Sequence, residues 1–360
     1  VERYLLEPLA TIIAQGRNPD GDQFLFIHAD REKLLADFID PEASASAVDE
    51  AAPEGTPDDQ AITPQRVLLN GHGGERELAG LAAAHAALSD RVRSDDLRRR
   101  KSDGLAAMAR SDFWESDDRF QVLGGIENID RVESGLESAG QLLDKLTAPV
   151  RGGRGARPAR AVSPELLLKL AGSLHLLDAA MTALERDEAW DAYLLIDAGG
   201  DGGAPSAEAD AWARRVAAMY EKWAVQRRFK REVLLETGGR DGQPWRQVLA
   251  MSGYAACLLL GHENGLHVWE DPDPKREGGF RRQPVLVRAV PQPPRAAADR
   301  ASSTREALEL LAAPTPDRLQ LVRQYRELPS PLVRDRRRGW RSGRLDRVLE
   351  GHFDVMDAGN

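Results

Sequence analysis

The sequence predicts an α+β protein in which helices come first and a mixed sheet follows. Two observations carry this. Residues 77–147 hold apolar positions at helical spacing with one break, near Ser111-Asp112-Phe113-Trp114-Glu115, and a Leu-rich helical segment opens at Ser163-Pro164-Glu165, with Ser at the cap and Pro in the first turn. After residue 190 the pattern changes to short apolar runs bounded by Gly, Pro and charged residues, which is how strands read.

The elements follow in order. Leu5, Leu6, Leu9, Ile12 and Ile13 line one face of an opening helix, Pro19-Asp20-Gly21-Asp22 is a turn, and Phe24-Leu25-Phe26-Ile27 is a strand, so residues 1–40 read as a small α/β fragment. Ala, Pro, Asp, Glu and Ser dominate what comes next, with little to bury, and residues 41–76 are expected to be an acidic linker. A helical domain is expected over 77–188, interrupted by a Gly/Arg/Pro loop at 148–162. A mixed α+β domain is expected over 189–360. Its strands are Tyr193-Leu194-Leu195-Ile196, Val233-Leu234-Leu235, Gln247-Val248-Leu249-Ala250 and Val285-Leu286-Val287. Trp212, Val216, Met219, Tyr220 and Trp223 share one helical face and read as core, a further helix covers about 303–313, and the chain ends as strand, basic turn and helix.

The chain has 360 residues, of which 42% are hydrophobic and 30% charged, a globular composition with room for more than one core. No apolar run approaches the roughly 20 residues of a membrane span, so no membrane partner is expected, and a single cysteine, which allows no intrachain disulfide, fits an expected cytoplasmic setting. The chain opens on Val1-Glu2-Arg3 without an initiator Met, and sequence is expected upstream. Net charge is 49 − 58 = −9, which disfavours nucleic acid as a general partner. The charge is uneven, however: the first sixty residues are acid-rich, whereas Arg334, Arg336, Arg337, Arg338, Arg341, Arg344 and Arg347 crowd one stretch. That stretch is either a solvated face or an RNA contact. The single cysteine, Cys257, lies in an apolar run and reads as core.

Other candidate sites are weaker. His262, Glu263 and His267 contain metal-ligand types, but their spacing is not that of a helical ligand pair and Gly265 intervenes, so they read as structural. The Gly-rich loop 198–203 makes a tight strand-to-helix turn more readily than a phosphate cradle. No metal or cofactor is expected.

Several segments share the order and spacing of a known family. They are Asp112-Phe113-Trp114; Ile196 to Gly203 followed by Ala211-Trp212-Ala213 and Met219-Tyr220-Glu221-Lys222-Trp223-Ala224; Ala256, Leu260, Glu263, Gly265 and His267; and Val322-Arg323-Gln324-Tyr325, Pro329, Leu332-Val333-Arg334-Asp335, Gly339, Gly343 and Val348-Leu349-Glu350-Gly351. From about Asp95 to Ala358 the chain thereby resembles bacterial class I peptide-chain release factors, especially the branch that reads UGA and UAA. The resemblance implies a helical domain, a central α+β domain and the ribosome or its rRNA as partner. At the other end, Val1-Glu2-Arg3, Leu6-Glu7-Pro8-Leu9-Ala10, Gly16 and Gly21-Asp22 resemble the C-terminal small domain of Clp-type AAA+ unfoldases, which implies a motor upstream in the same chain. No Gly-x-x-x-x-Gly-Lys-Ser/Thr occurs, so no ATP site is expected within these residues.

The chain departs from the release-factor pattern where the chemistry lies. Such factors position water on the peptidyl-tRNA ester with a Gly-Gly-Gln loop whose backbone amides stabilise the developing oxyanion. The Gly-Gly pairs here are followed by Glu75, Ile126, Arg154, Asp201, Ala204, Arg240 and Phe280, never by Gln. Between Pro294 and Val322 there are too few residues for the family's catalytic domain; one helix around Thr304–Leu311 is expected instead. The family's Ser-Pro-Phe codon-reading tripeptide falls on Asp273-Pro274-Lys275 and its His-Thr pair on Arg282-Gln283, so the hydroxyls that would bond bases are gone. Glu270, Asp271 and Asp273 would repel an RNA backbone nearby. The expectation is a ribosome-docking module without hydrolysis. The alternatives are a release or rescue factor with catalysis supplied by another chain, and a protein–protein module of an unfoldase.

Overall fold

A computed structural model describes residues 24–30, 33–39, 61–148, 163–199, 206–239, 242–275, 279–295, 299–312 and 320–356. The expected opening helix, residues 41–60 and the loop 149–162 lie outside the described residues. The chain forms two compact units, Val1–Gln60 with Gly359–Asn360, and Ala61–Ala358. In the first, β1 (Phe24–Asp30) and β2 (Lys33–Ile39) pair as an antiparallel hairpin with Phe24 opposite Ile39.

The second unit begins earlier than the sequence pattern suggests. Residues 61–76, expected as linker, contain helix α1 (Pro64–Asn70), whose N-cap Thr63 hydroxyl accepts from Arg66 N at 3.3 Å and whose Pro64 sits at the first turn. Val67 and Leu69 are buried in the main core, so burial rather than local composition decides this segment. Helices α2 (Glu75–Val92) and α3 (Asp95–Met108) follow, then a short turn at Phe113–Glu115, then α4 (Arg119–Thr147) and α5 (Pro164–Glu185). By length and hydropathy α5 could cross a membrane, contrary to the expectation that no run approaches that length. It is instead the central helix of the core, with Leu167, Leu170, Leu174, Leu177 and Met181 all buried against neighbouring elements.

The sheet contains eight described strands in the order β10-β9-β8-β6-β7-β3-β5-β4. They are β3 (Ala192–Asp197), β4 (Lys230–Thr237), β5 (Arg246–Ser252), β6 (Gly265–Pro272), β7 (Phe280–Pro291), β8 (Leu321–Arg326), β9 (Leu332–Asp335) and β10 (Arg341–Ser342). Every neighbouring pair is antiparallel except β6 with β8. One face packs on α6 (Ala207–Arg227), whose Ser206 cap accepts from Ala209 N at 3.0 Å. Its expected core face is buried as read: Trp212 meets Trp269 and Tyr325 with ring centroids 5.0 and 4.7 Å away, and Trp223 meets Phe229 and Phe353. A short helix, α7 (Ala256–Gly261), precedes β6. On the other face, α8 (Arg300–Leu311) places Ala307 and Leu311 against Tyr193, Leu195, Leu234 and Val248. The helices and the α6 side of the sheet share one continuous core, so the expected boundary at 188/189 divides no separate cores.

Two glycines of the tail and β6 motifs are required by geometry. Gly265 has φ +140° and a Cβ there would lie 2.3 Å from the Gln320 carbonyl oxygen; Gly351 has φ +96° and a Cβ would lie 2.5 Å from Trp223 N.

Two buried polar networks cross the interior. In the first, Arg323 is fully buried between Glu263 and Asp335: Nη2 donates to Glu263 Oε1 at 2.8 Å and Asp335 Oδ2 at 2.7 Å, Nη1 to Glu263 Oε2 at 3.0 Å, and Nε to Asp335 Oδ2 at 3.0 Å. Tyr220 Oη donates to Glu263 Oε2 at 3.0 Å. His267 Nε2 has the Glu263 carbonyl as its partner at 3.0 Å and so carries the proton, leaving Nδ1 to accept from Tyr325 Oη at 3.0 Å. In the second network Arg227 grips Asp354 with Nε at 2.8 Å and Nη2 at 2.7 Å, His175 Nε2 meets Asp354 Oδ2 at 3.1 Å, and Gln65 donates to His175 Nδ1 at 3.2 Å. Burial alone would raise the Asp354 carboxyl, but the Arg227 guanidinium holds it well below the usual range.

Arg323→Met should lower the unfolding free energy by about 3–5 kcal/mol, because it leaves two buried carboxylates unpaired. Urea denaturation at neutral pH checks this, and a loss below about 1 kcal/mol, an ordinary mutational effect, would remove the network from the account of stability. A pH effect follows from His267. Burial, chiefly, pushes its imidazole down from 6.5 to about 4. The unfolded chain therefore binds the proton first, and the stability due to neutral His267 is complete above about pH 6.5 and lost as pH falls towards 4. His262 and His352 are shifted in the same direction, chiefly by burial. Denaturation midpoints between pH 7 and 5 should fall less steeply in His267→Gln than in the parent; identical slopes would contradict the assignment.

Candidate nucleic-acid interface

The residues expected from the sequence to stand in place of the codon-reading motifs fall on one hairpin. Asp273, Pro274 and Lys275 form its tip between β6 and β7, where Asp273 N donates to the Gly279 carbonyl at 2.8 Å and Asp273 Oδ1 accepts from Lys275 N at 3.0 Å. This Asx-type turn uses the aspartate on its own backbone. Pro274 and Lys275 are exposed. Arg282 and Gln283 lie further along β7, opposite Glu270 and Trp269. The acidic residues nearby are engaged: Glu270 Oε1 accepts from Arg282 Nε at 3.1 Å and Gln324 Nε2 at 3.2 Å, and Asp271 Oδ1 accepts from Trp269 Nε1 at 2.8 Å. The expected repulsion of an RNA backbone is thereby reduced at Glu270, which already carries a guanidinium. Gln283 turns toward the start of α6, where its Oε1 lies 3.5 Å from the Ser206 hydroxyl.

A polar ladder continues across the sheet from this hairpin. On β8, Arg323 and Tyr325 face α6, so Gln324 points the other way by strand alternation. Gln324 bridges Glu270 to Arg336, whose Nη2 reaches Gln324 Oε1 at 3.2 Å. Arg334 and Arg341 are cross-strand partners on β9 and β10, and both are exposed. Arg282 on β7, Arg334 on β9, Arg336 just after β9 and Arg341 on β10 thus lie on one side of the sheet.

The seven basic residues at 334–347 do not form one exposed patch. Arg334, Arg336, Arg337, Arg341 and Arg344 are exposed; Arg338 and Arg347 are half-buried. Arg338 turns inward and donates to the carbonyls of Phe353 at 3.0 Å and Leu259 at 3.4 Å. Arg347 reaches the Leu69 carbonyl at 3.3 Å and Arg344 the Asn70 side chain at 2.7 Å, tying the tail to the end of α1. Buried carbonyls near a chain reversal need donors, and long guanidinium side chains supply them here. The expectation that Arg338 is a solvent-facing RNA contact is therefore corrected.

The other candidate residues take structural roles. His267 is enclosed in the Arg323 network, whereas His262 lies at the end of α7 in a separate cleft. Asp197 Oδ1 accepts from Gly199 N at 2.9 Å and its Oδ2 from Arg246, which shapes the described start of the Gly-rich loop; residues 200–205 lie outside the described residues. Cys257 is half-buried against the core, and burial, chiefly, pushes its thiol up to about 11, so it is no thiolate at neutral pH. Phe113 of Asp112-Phe113-Trp114 is buried, Asp112 pairs with Arg110, and Trp114 stands exposed.

These elements define a mixed α+β protein whose helical layer and sheet are built on a shared core. The family model described as the PCRF domain matches residues 97–269, from the first turn of α3 to Trp269 in β6. A solved structure, RF2 of Thermus thermophilus, is similar to the chain at 19% identity with a TM-score of 0.39, covering 76% of this chain and 97% of that chain. The hairpin tip, Arg282, Gln283 and the basic stretch all lie beyond the matched span.

Arg338→Glu should destabilise the fold by about 1–3 kcal/mol, since it strips donors from two carbonyls and places a carboxylate beside them. The double variant Arg334→Glu/Arg341→Glu should stay within about 0.5 kcal/mol of the parent. Thermal melts of the two variants side by side check the division; equal melting temperatures would contradict it.

Proposed function

We propose that this chain is a ribosome-binding module of translation termination or quality control that docks without cutting peptidyl-tRNA and without ordinary stop-codon reading. One observation carries the reading. The sheet continues on both sides of the β7–β8 connection, that connection, 292–320, holds α8 as its described element, and no Gly-Gly-Gln occurs anywhere in the sequence. A factor that kept its docking frame and lost its ester-reactive loop binds and does not hydrolyse. The resemblance to the UGA/UAA-reading branch supports descent from a codon reader, and Asp273-Pro274-Lys275 with Arg282-Gln283 supports loss of that reading.

The rRNA contact in this proposal is the set Arg334 on β9, Arg341 on β10 and Arg336 just after β9, with Arg337 and Arg344 at its edge. Fixed cations on a rigid sheet displace counterions from phosphate without reading bases. The segment 1–40 is proposed to be the small domain of a Clp-type AAA+ motor whose ATP-binding core lies upstream, so that ribosome docking and unfolding belong to one cytoplasmic chain. The hairpin β1–β2 is the described part of that segment.

Sedimentation with ribosomes at several salt concentrations tests the docking. The chain should pellet at low salt. Arg334→Glu/Arg336→Glu/Arg341→Glu should weaken binding and lower the salt slope by about one for each phosphate no longer neutralised. Failure of the parent chain to co-sediment at low salt would favour the protein–protein module. In a peptide-release assay with a stop codon in the A site, the rate should equal spontaneous hydrolysis; a rate well above it would point to catalysis supplied in trans or by an unrecognised loop.

A further inference from the structure

The sequence holds two Asn-Gly pairs, Asn70-Gly71 and Asn264-Gly265, and the fold treats them oppositely. In such a pair the missing side chain of the second residue leaves its backbone nitrogen open to approach the asparagine carboxamide carbon. Asn264 is held against this. Its Oδ1 accepts from Ala289 N at 2.6 Å and its Nδ2 donates to the Gly261 carbonyl at 3.3 Å. Gly265 is buried at the start of β6, and a Cβ there would lie 2.3 Å from the Gln320 carbonyl oxygen, so its peptide has no room to swing. Asn70, by contrast, is exposed and is the last residue of α1, a helix of 7 residues. Gly71 N donates to the Val67 carbonyl at 2.8 Å, a bond at the end of the helix, where fraying begins. Arg344 Nη1 donates to Asn70 Oδ1 at 2.7 Å, and among the described residues Arg344 has no carboxylate partner. A guanidinium on the amide oxygen draws electron density from Cγ and stabilises the oxyanion that forms when a nitrogen adds there.

We propose that Asn70 is a self-modifying site, at which Gly71 N closes on Asn70 Cγ under the Arg344 guanidinium and the residue becomes aspartyl or isoaspartyl. As the N–Cγ bond forms, the Gly71 amide gives its proton to solvent base. The Cγ–Nδ2 bond then breaks, Nδ2 leaves as ammonia, and a succinimide remains. Water opens the ring, at Cγ to give aspartate or at the α-carbonyl to give isoaspartate. The net change is one water consumed and one ammonia released, with no change of oxidation state. Cyclisation needs Gly71 N to leave the Val67 carbonyl, so the frayed end of α1 is the reactive form. The consequence is electrical: in the aspartyl product Arg344 gains a carboxylate where it held an amide oxygen, which ties it to α1 by an ion pair, and the chain gains one negative charge.

Peptide mapping by mass spectrometry tests this on the full chain, incubated between pH 7 and 9 well below its melting temperature, with isoaspartyl methyltransferase labelling to mark isoaspartate. Asn70 should convert at a rate that rises in proportion to hydroxide, at least tenfold faster than Asn264 in the same sample. In concentrated urea the two rates should converge, because the fold no longer separates them. Arg344→Gln should slow conversion of Asn70 several-fold in a chain that still melts cooperatively, and Arg344→Lys should slow it less. Asn70→Asp should raise the melting temperature in the parent and lower it in Arg344→Gln, where the new carboxylate stands at the negative end of α1 without that partner. Equal rates at Asn70 and Asn264 in the folded chain would remove the site, as would conversion of Asn70 in urea alone. A rate unchanged or raised in Arg344→Gln would overturn the activating role of the guanidinium. None of these readouts involves the ribosome, so they stand apart from the docking reading.

Discussion

A single guanidinium, that of Arg323, is the constraint around which the sheet half of the molecule is arranged. It is dehydrated completely and held by carboxylates from two directions, Glu263 after α7 and Asp335 at the end of β9. A buried ion group of this kind contributes little net stability over an apolar replacement, but it tolerates no partial assembly. The strands β8 and β9 and the end of α7 are therefore fixed as a set. The constraint reaches the surface too, because Asp335 Oδ1 also accepts from the backbone N–H groups of Arg337 and Arg338 at 2.9 and 2.7 Å. That pins the turn whose arginines divide between solvent and interior.

The second network does for the layers what the first does for the strands. Asp354, near the C-terminal end of the described chain, draws together Arg227 of α6, His175 of α5 and, through His175, Gln65 of α1. One tail residue thus gathers three segments that are far apart in sequence. It adds a polar tie to the continuous apolar core that already joins α1, the helical part and the sheet part.

Much of the architecture is legible in local pattern. Periodicity identifies α4, α5 and α6, and short apolar runs identify β3, β4, β5 and β7, because these elements bury a regular face. What the pattern does not show depends on distant partners. Helix α1 lies in a stretch of modest hydrophobicity and is helical because Val67 and Leu69 find the core. Glu263 and His267 carry metal-ligand types, and nothing local in the sequence announces that an arginine sixty positions away neutralises the glutamate. One signal is available. Val322-Arg323-Gln324-Tyr325 alternates so that Arg323 shares a face with Tyr325, which marks a charge on the core side of a strand. The inward turn of Arg338 has no such signal, because a run of arginines carries no period. Asp273-Pro274-Lys275 and Arg282-Gln283 lie close in sequence and share one hairpin, but the engagement of Glu270 by Arg282 and Gln324 requires cross-strand register.

The placement of β6 has an engineering consequence. Strands β7 and β8 flank it on either side, antiparallel and parallel, so the two strands that the β7–β8 connection joins both pair with β6, and the last residues of β7 pair with β3. Whatever joins them has no influence on register. Loop-closure entropy grows only slowly with length, about 0.6 kcal/mol for each doubling. The connection is therefore a splice port: a whole reporter domain or a recognition domain could be grafted there in place of α8, provided that the Tyr193–Leu195 face it covers is capped again.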